Sequence, residues 1–301
     1  MKRGQAVHTA LDELRMQMLG AQVLFGFQLR GIFEDTFKDL SPLARAADLT
    51  GFGLIVVTLS FLIAPPAQHR LVEHGIATKR IFSVTGRFAQ LALGTYTVAI
   101  GLDVYAVMES YFGAGASAIA AIAAAVVALL LWFGLGLAVR ERYNQGRSPM
   151  PEKEEPELPE KINQMLTEAR VVLPGAQALL GFQFIVTLTK AFHDLPAGQQ
   201  NLHFLALGFV LLAIGLLISP AAVHRVGFHG RFVERMHGIG SLLITTAMVP
   251  LAAGIATDLY VALSKADMGV FALVGGIGAF ILFMALWYAL PLWIRGSATA
   301  R

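Results

Sequence analysis

The chain has 301 residues, of which 56% are hydrophobic and only 14% charged; its net charge is +3 and its mean hydropathy +0.64. Soluble domains carry about 25% charge, so this composition excludes disorder, a nucleic-acid-binding surface and an ordinary soluble enzyme. The absence of cysteine excludes disulfides, thiolate metal sites and cysteine nucleophiles.

The fold class that fits is all-α, a polytopic transmembrane helical bundle. A bilayer core about 30 Å thick takes roughly 20 mostly apolar residues per helix, and about eight such runs follow one another. Residues 1–15 are polar, with Lys2, Arg3, Asp12 and Glu13, and lack the apolar stretch of a signal peptide, so the first span is expected to act as its own insertion signal. Spans are predicted at 16–33, 47–64, 82–108 and 116–139, then at 171–188, 202–219, 237–263 and 270–294. Pro65, Pro66 and Pro220 are expected to end the second span of each set. Residues 141–164 are charged and contain Pro149, Pro151, Pro156 and Pro159, the composition of an exposed, partly extended linker.

The two sets are copies. A shift of 155 residues aligns 11–140 with 166–295 without a gap, and 34 of the 130 pairs are identical, against about 6% expected from average usage. The domains are therefore a first four-helix repeat at 1–140, the linker at 141–164 and a second repeat at 165–301. Of the 23 Lys and Arg residues, 18 fall on the side of the termini and of the connections after spans two, four and six. The positive-inside rule then puts both termini in the cytoplasm and makes the repeats parallel, four spans plus four. Multi-pass insertion in the inner, cytoplasmic membrane follows as the expected location. The alanine-rich fourth span, with Ala118, Ala121 and Ala125, and its counterpart carrying Gly275, Gly276 and Gly278, are expected to meet other helices.

Polar residues repeated in both copies are the candidates for function. Asp103 and Asp258, each two residues before a tyrosine, lie late in the third spans, where a carboxylate is costly and points to cation or proton binding, or else sits at the interface beside its tyrosine. Arg30 is a candidate to neutralise Asp103; Ile185 stands at its equivalent position, which leaves Lys190 for Asp258. Gln22 and Gln28, with Gln177 and Gln183, place amides in the first spans, for hydrogen bonds between helices or for a polar path. The run Pro-x3-His-Arg-x3-His-Gly occurs twice, with His69, Arg70 and His74, then His224, Arg225 and His229. It marks either a cytoplasmic-interface site for an anion or lipid headgroup or simple positive-inside flanking of a helix exit. The spacing of its histidines does not put both rings on one helix face, so no resident cofactor is expected; haem or a metal at these histidines is the minor alternative. No P-loop, nucleophile elbow, zinc-protease motif or dinucleotide fingerprint is present, and nothing marks the chain as an enzyme.

The pattern Leu-x-Glu-x-Arg, followed by Gly-x-Gln-x-Leu-x-Gly-Phe-Gln, then Pro-x3-His-Arg and a closing Trp-x7-Arg, resembles a family of small bacterial four-helix integral membrane proteins catalogued as a domain of unknown function. The resemblance covers each half almost completely and implies a fused pair of such units; Leu19 stands where the second half has Pro174. It implies a membrane fold and no reaction. The leading expectation is a transport or channel protein, or a regulator of one, built as an internal pseudo-dimer with a polar path at its midline. The alternatives are an accessory or scaffold subunit of a larger membrane complex, and a redox protein using the histidines. Expected partners are membrane lipids, including anionic ones, and a second copy or larger membrane complex; nucleic acid is not among them.

Overall fold

The computed structural model describes residues 3–73, 76–134, 153–154, 157–224 and 233–299. Nine helices appear among them: α1 Arg3–Ile32, α2 Pro42–Leu71, α3 Lys79–Leu129, α4 Leu158–Thr187, the short α5 Lys190–His193, α6 Ala197–Ala222, α7 Glu234–Lys265, α8 Val270–Met284 and α9 Leu290–Thr299. A 3-10 turn, Asp35–Asp39, follows α1, and two π-helical turns, Leu130–Gly134 and Ala285–Ala289, sit 155 residues apart, at equivalent places in the two halves. A two-residue antiparallel bridge pairs Ala77–Thr78 with Lys153–Glu154.

Local sequence sets several of these boundaries. Ser41 caps α2 by accepting from the Ala44 N–H at 3.1 Å, with Pro42 just inside the start, where its missing N–H costs nothing. Thr78 caps α3 in the same way through Ile81. Six helical segments are long and apolar enough to cross a membrane: Pro42–Leu71, Lys79–Leu129, Leu158–Thr187, Ala197–Ala222, Glu234–Lys265 and Val270–Gly296. α1 is not among them, and α3 takes the place of two predicted spans. α3 is divided by Gly113, whose φ of 74° and ψ of 166° only glycine adopts without strain, so the chain turns there between two helical arms.

Three boundaries differ from the sequence reading. α1 and α4 begin well before the predicted first spans, because their polar early turns are amphipathic: Leu11 and Leu14, and Ile162 and Met165, are all buried. Residues 158–164 thus belong to α4 and not to the linker; residues 135–152 and 155–156 lie outside the described residues. Pro65, Pro66 and Pro220 do not end their helices, which run on to Leu71 and Ala222. Neighbouring helices can satisfy the backbone groups that a proline frees. Near two of the prolines, adjacent side chains of the second π turn also reach helix carbonyls: Trp287 Nε1 donates to the Ser60 carbonyl at 3.0 Å, and the Tyr288 hydroxyl donates to the Thr245 carbonyl.

The halves meet through α1 and α4, which lie side by side with the same polarity. Gly26 abuts the ring of Phe182, Gly175 abuts Gln22, and the Phe27 and Phe182 rings are 4.7 Å apart. Within each half, small residues set the spacing of the helices, and the copies exchange them. A Cβ on Gly51 would lie 3.5 Å from the Ala99 carbonyl, and one on Gly254 would lie 3.1 Å from the Ala206 carbonyl. Positions 51 and 206 are equivalent, as are 99 and 254, so glycine and alanine have traded sides of one crossing. The same exchange occurs between Gly101, facing Ala121 and Ala125, and Gly276, facing Ala256. The expected contacts of the Ala121 and Gly276 faces are thus made within each half; Gly278 has no neighbour within 4 Å of its would-be Cβ.

The halves differ at their ends. Trp287, fully buried, crosses from the second half onto α2 of the first, whereas its equivalent Trp132 stacks on Tyr96 of its own half at 5.7 Å. Trp287→Phe keeps an aromatic ring and deletes the N–H, which is expected to cost about 0.5–1.5 kcal/mol, the usual net worth of one hydrogen bond. Thermal unfolding in mild detergent measures it, with Trp132→Phe as the comparison that should change less.

Candidate functional site

The repeated polar residues come together inside the helices. In the first half Gln28, on α1, donates from Nε2 to Asp103 Oδ1 on α3 at 2.5 Å. In the second half Gln183, on α4, donates to Asp258 Oδ2 on α7 at 2.6 Å. The same bond is thus made twice, each time between the first and third helices of one half. Asp103 lies nine residues before Phe112, the last residue before the break at Gly113, which is about 14 Å of helix at 1.5 Å per residue.

The two sites differ at one position that sequence reading passed over. His203, on α6, is fully buried; its Nδ1 lies 3.0 Å from Asp258 Oδ1 and its Nε2 3.1 Å from the Gln183 carbonyl. Both ring nitrogens therefore face acceptors, an arrangement that the doubly protonated imidazolium satisfies. Phe192 packs edge-on to the ring at 5.3 Å. The equivalent of His203 in the first half is Asp48, on α2, whose Oδ2 is buried without a hydrogen-bond partner. One copy thus joins an amide, a carboxylate and an imidazole, and the other an amide and two carboxylates. Gly51, one turn along α2 from Asp48, leaves the space in which Asp103 and Gln28 meet: a Cβ there would lie 2.6 Å from Asp103 Oδ1.

The basic residues assigned to these carboxylates from sequence do other work. Arg30 pairs with Glu34 at 2.6 Å instead of Asp103, one turn away on the same side of the chain. Lys190 is not the partner of Asp258, since His203 holds that place; with Arg30 it lines a cleft of 320 Å³ between the ends of α1 and α4. Gln22 is buried against Gly175 with neither amide atom hydrogen-bonded, and Gln177 is exposed. Gln22 thus lies at the α1–α4 contact, whereas the glutamine–aspartate pairs lie within each half.

The twice-repeated histidine motif does different work from a headgroup site where it is described. His69 and Arg70 are buried and turn inward to Glu168 of the second half: His69 Nδ1 is 2.6 Å from Oε1, Arg70 Nη2 donates to Oε2, and Arg70 Nη1 donates to Ser241 Oγ at 3.1 Å. Their charge is spent on a carboxylate of the protein itself. His74, Arg225 and His229 lie outside the described residues, and His224 is half-buried near the end of α6. Glu168 belongs to the Leu-x-Glu-x-Arg pattern, which was its one signal in the sequence. Among the described residues no three His, Asp or Glu side chains converge as a metal site.

Six long apolar helices, with a hydrogen-bonded carboxylate among the helices of each half, mark a helical membrane protein. A family model described as a family of unknown function, DUF6328, matches residues 4–136 and again 151–291. The chain belongs to this family and matches its model twice, in tandem. No curated protein and no solved structure matches it.

Proposed function

We propose that the protein moves an ion or small solute across the inner membrane, or regulates a protein that does, as an eight-span pseudo-dimer of two parallel four-helix units with both termini in the cytoplasm. The two arms of α3, together with α1 and the remaining long helices, supply the eight spans, and the distribution of Lys and Arg supports the orientation. The observation that carries this reading is the glutamine–aspartate bond made twice inside apolar helices. Buried carboxylates are expensive in a membrane and mark ion or proton pathways. Each half holds its own polar site, so the working unit is the four-helix repeat rather than a pore on the axis. Asp103→Asn with Asp258→Asn keeps the shape and removes both charges. Ion or solute flux in proteoliposomes is expected to fall by tenfold or more, a change of about 1.4 kcal/mol in the barrier; unchanged flux removes these residues from the mechanism.

A second reading, an accessory subunit of a larger membrane complex, is favoured by the second arm of α3. Ile119, Ile122, Val126 and Val127 are all exposed, and this arm has less protein around it than the last helix of the chain. A defined partner co-purifying in mild detergent supports that reading, and a lone active oligomer opposes it.

A further inference from the structure

We infer that the first half binds a hard, oxygen-seeking cation between Asp48, Asp103 and Gln28, at the place the His203 ring fills in the second half. The inference builds on the paired-aspartate reading above and gives one of its two sites a ligand class.

Three oxygens at this place have no partner among the described residues: Asp48 Oδ2, Asp103 Oδ2 and Gln28 Oε1. The Gln28 side chain is only 6% exposed, so bulk water does not reach its carbonyl oxygen. A buried acceptor left alone costs about 1–3 kcal/mol, and two adjacent carboxylates in apolar helices add mutual repulsion. Two arginines of this half have other partners. Arg30 is held by Glu34, and Arg45 donates to the Lys38 and Leu40 carbonyls at 2.8 and 3.3 Å.

The second half also leaves Gln183 Oε1 and Asp258 Oδ1 without a hydrogen bond, but there an imidazole nitrogen stands 3.0 Å from that carboxylate oxygen. In the first half that position is an acid, and bare Gly51 stands where the second half has Ala206. A second carboxylate in one copy, against a ring that fills the same place in the other, is the difference between a site open to an ion from outside and one already occupied by a side chain. Asp48 also lines a cavity of 470 Å³ that borders Gly31, Glu34, Asp39, Ser110 and Tyr111, at the end of the molecule bearing the α1–α2 turn. Carboxylate and amide oxygens without nitrogen or sulfur suit sodium- or calcium-like ions and not softer transition metals.

The test exchanges the distinguishing residue between copies, so that each variant borrows a side chain the other half already accommodates. Full-length protein in mild detergent is equilibrated with radioactive sodium in one arm and radioactive calcium in the other, and bound ion per chain is counted. Wild type is expected to bind one ion of one kind. Asp48→His is expected to weaken that binding by roughly tenfold or more, as loss of a charged ligand does, and His203→Asp to create a second site. Gly51→Ala, which copies Ala206, is expected to weaken binding as well and decides the matter should Asp48→His fail to fold. Wild type that binds neither ion, or Asp48→His and Gly51→Ala that bind as wild type, overturns the inference. Binding is read at equilibrium without flux. Flux that needs the aspartates in a protein that binds no ion sinks this inference alone; ion binding in a protein without flux sinks the transport reading alone.

Discussion

Glu168→Gln is expected to destabilise the protein by about 3–5 kcal/mol, the usual cost of removing one partner from a buried charge pair. Glu168 is fully enclosed and accepts from both His69 and Arg70, so its neutralisation leaves a guanidinium with little solvent and one remaining side-chain acceptor, Ser241. The loss falls on the contact between the halves, because the carboxylate comes from α4 and both donors from α2. Thermal unfolding in mild detergent should show a drop of several degrees, with separation of the halves as the first event. The triple variant His69→Leu, Arg70→Met, Glu168→Leu should recover most of the loss, since apolar replacement of a whole buried ion cluster is often neutral or better. A single variant that melts with wild type would show that the cluster does not hold the halves together.

Gly26→Leu is expected to cost about 1–3 kcal/mol by overpacking. Even the first carbon of the new side chain would overlap the Phe182 ring, and α1 and α4 have no slack at that crossing. Phe182→Ala in the same chain empties the space and should restore part of the stability, a coupling that a double-mutant cycle isolates. The matched comparison is Gly181→Ala at the equivalent position of the second half. Nothing lies within 4 Å of the Cβ added there, and alanine favours a helix over glycine by about 1 kcal/mol, so this change should be neutral or mildly stabilising. Equal losses at Gly26 and Gly181 would mean that the α1–α4 crossing is not the tight point of the interface.

The helices and their duplication were legible in the sequence because apolar length and gapless identity are strong signals that do not depend on tertiary detail. Recurrence also picked out Gln28, Asp103, Gln183 and Asp258, whose pairing depends on a helix register that both copies retain. The same filter concealed His203 and Asp48: it keeps positions that are identical in the two halves, and this pair matters because its members differ. Glu168 was passed over because it lies in a charged stretch beside a proline-rich segment, where local composition reads as exposed; only the approach of α2 from the other half buries it. Arg30 and Lys190 were misassigned for a related reason. Proximity along the chain end suggested the distant aspartates, whereas Arg30 finds Glu34 one turn away on its own chain, and Asp258 has a nearer partner on α6. Prolines read as stops turned out to lie inside helices, because each removes only the bond to the carbonyl four residues before it, a loss that a packed membrane bundle tolerates.

The single histidine-for-aspartate difference between the copies has an evolutionary corollary. A symmetric pair of first halves would bring together four acids and no imidazole, and a pair of second halves two imidazoles and no vacancy for an outside charge. Neither homodimer reproduces the combination present here. Fusion into one polypeptide fixes a one-to-one ratio of the unlike units, and Trp287, which only the later unit lays over its neighbour, makes their order matter as well. The two family units of this chain are unlike, and one cannot stand in for the other.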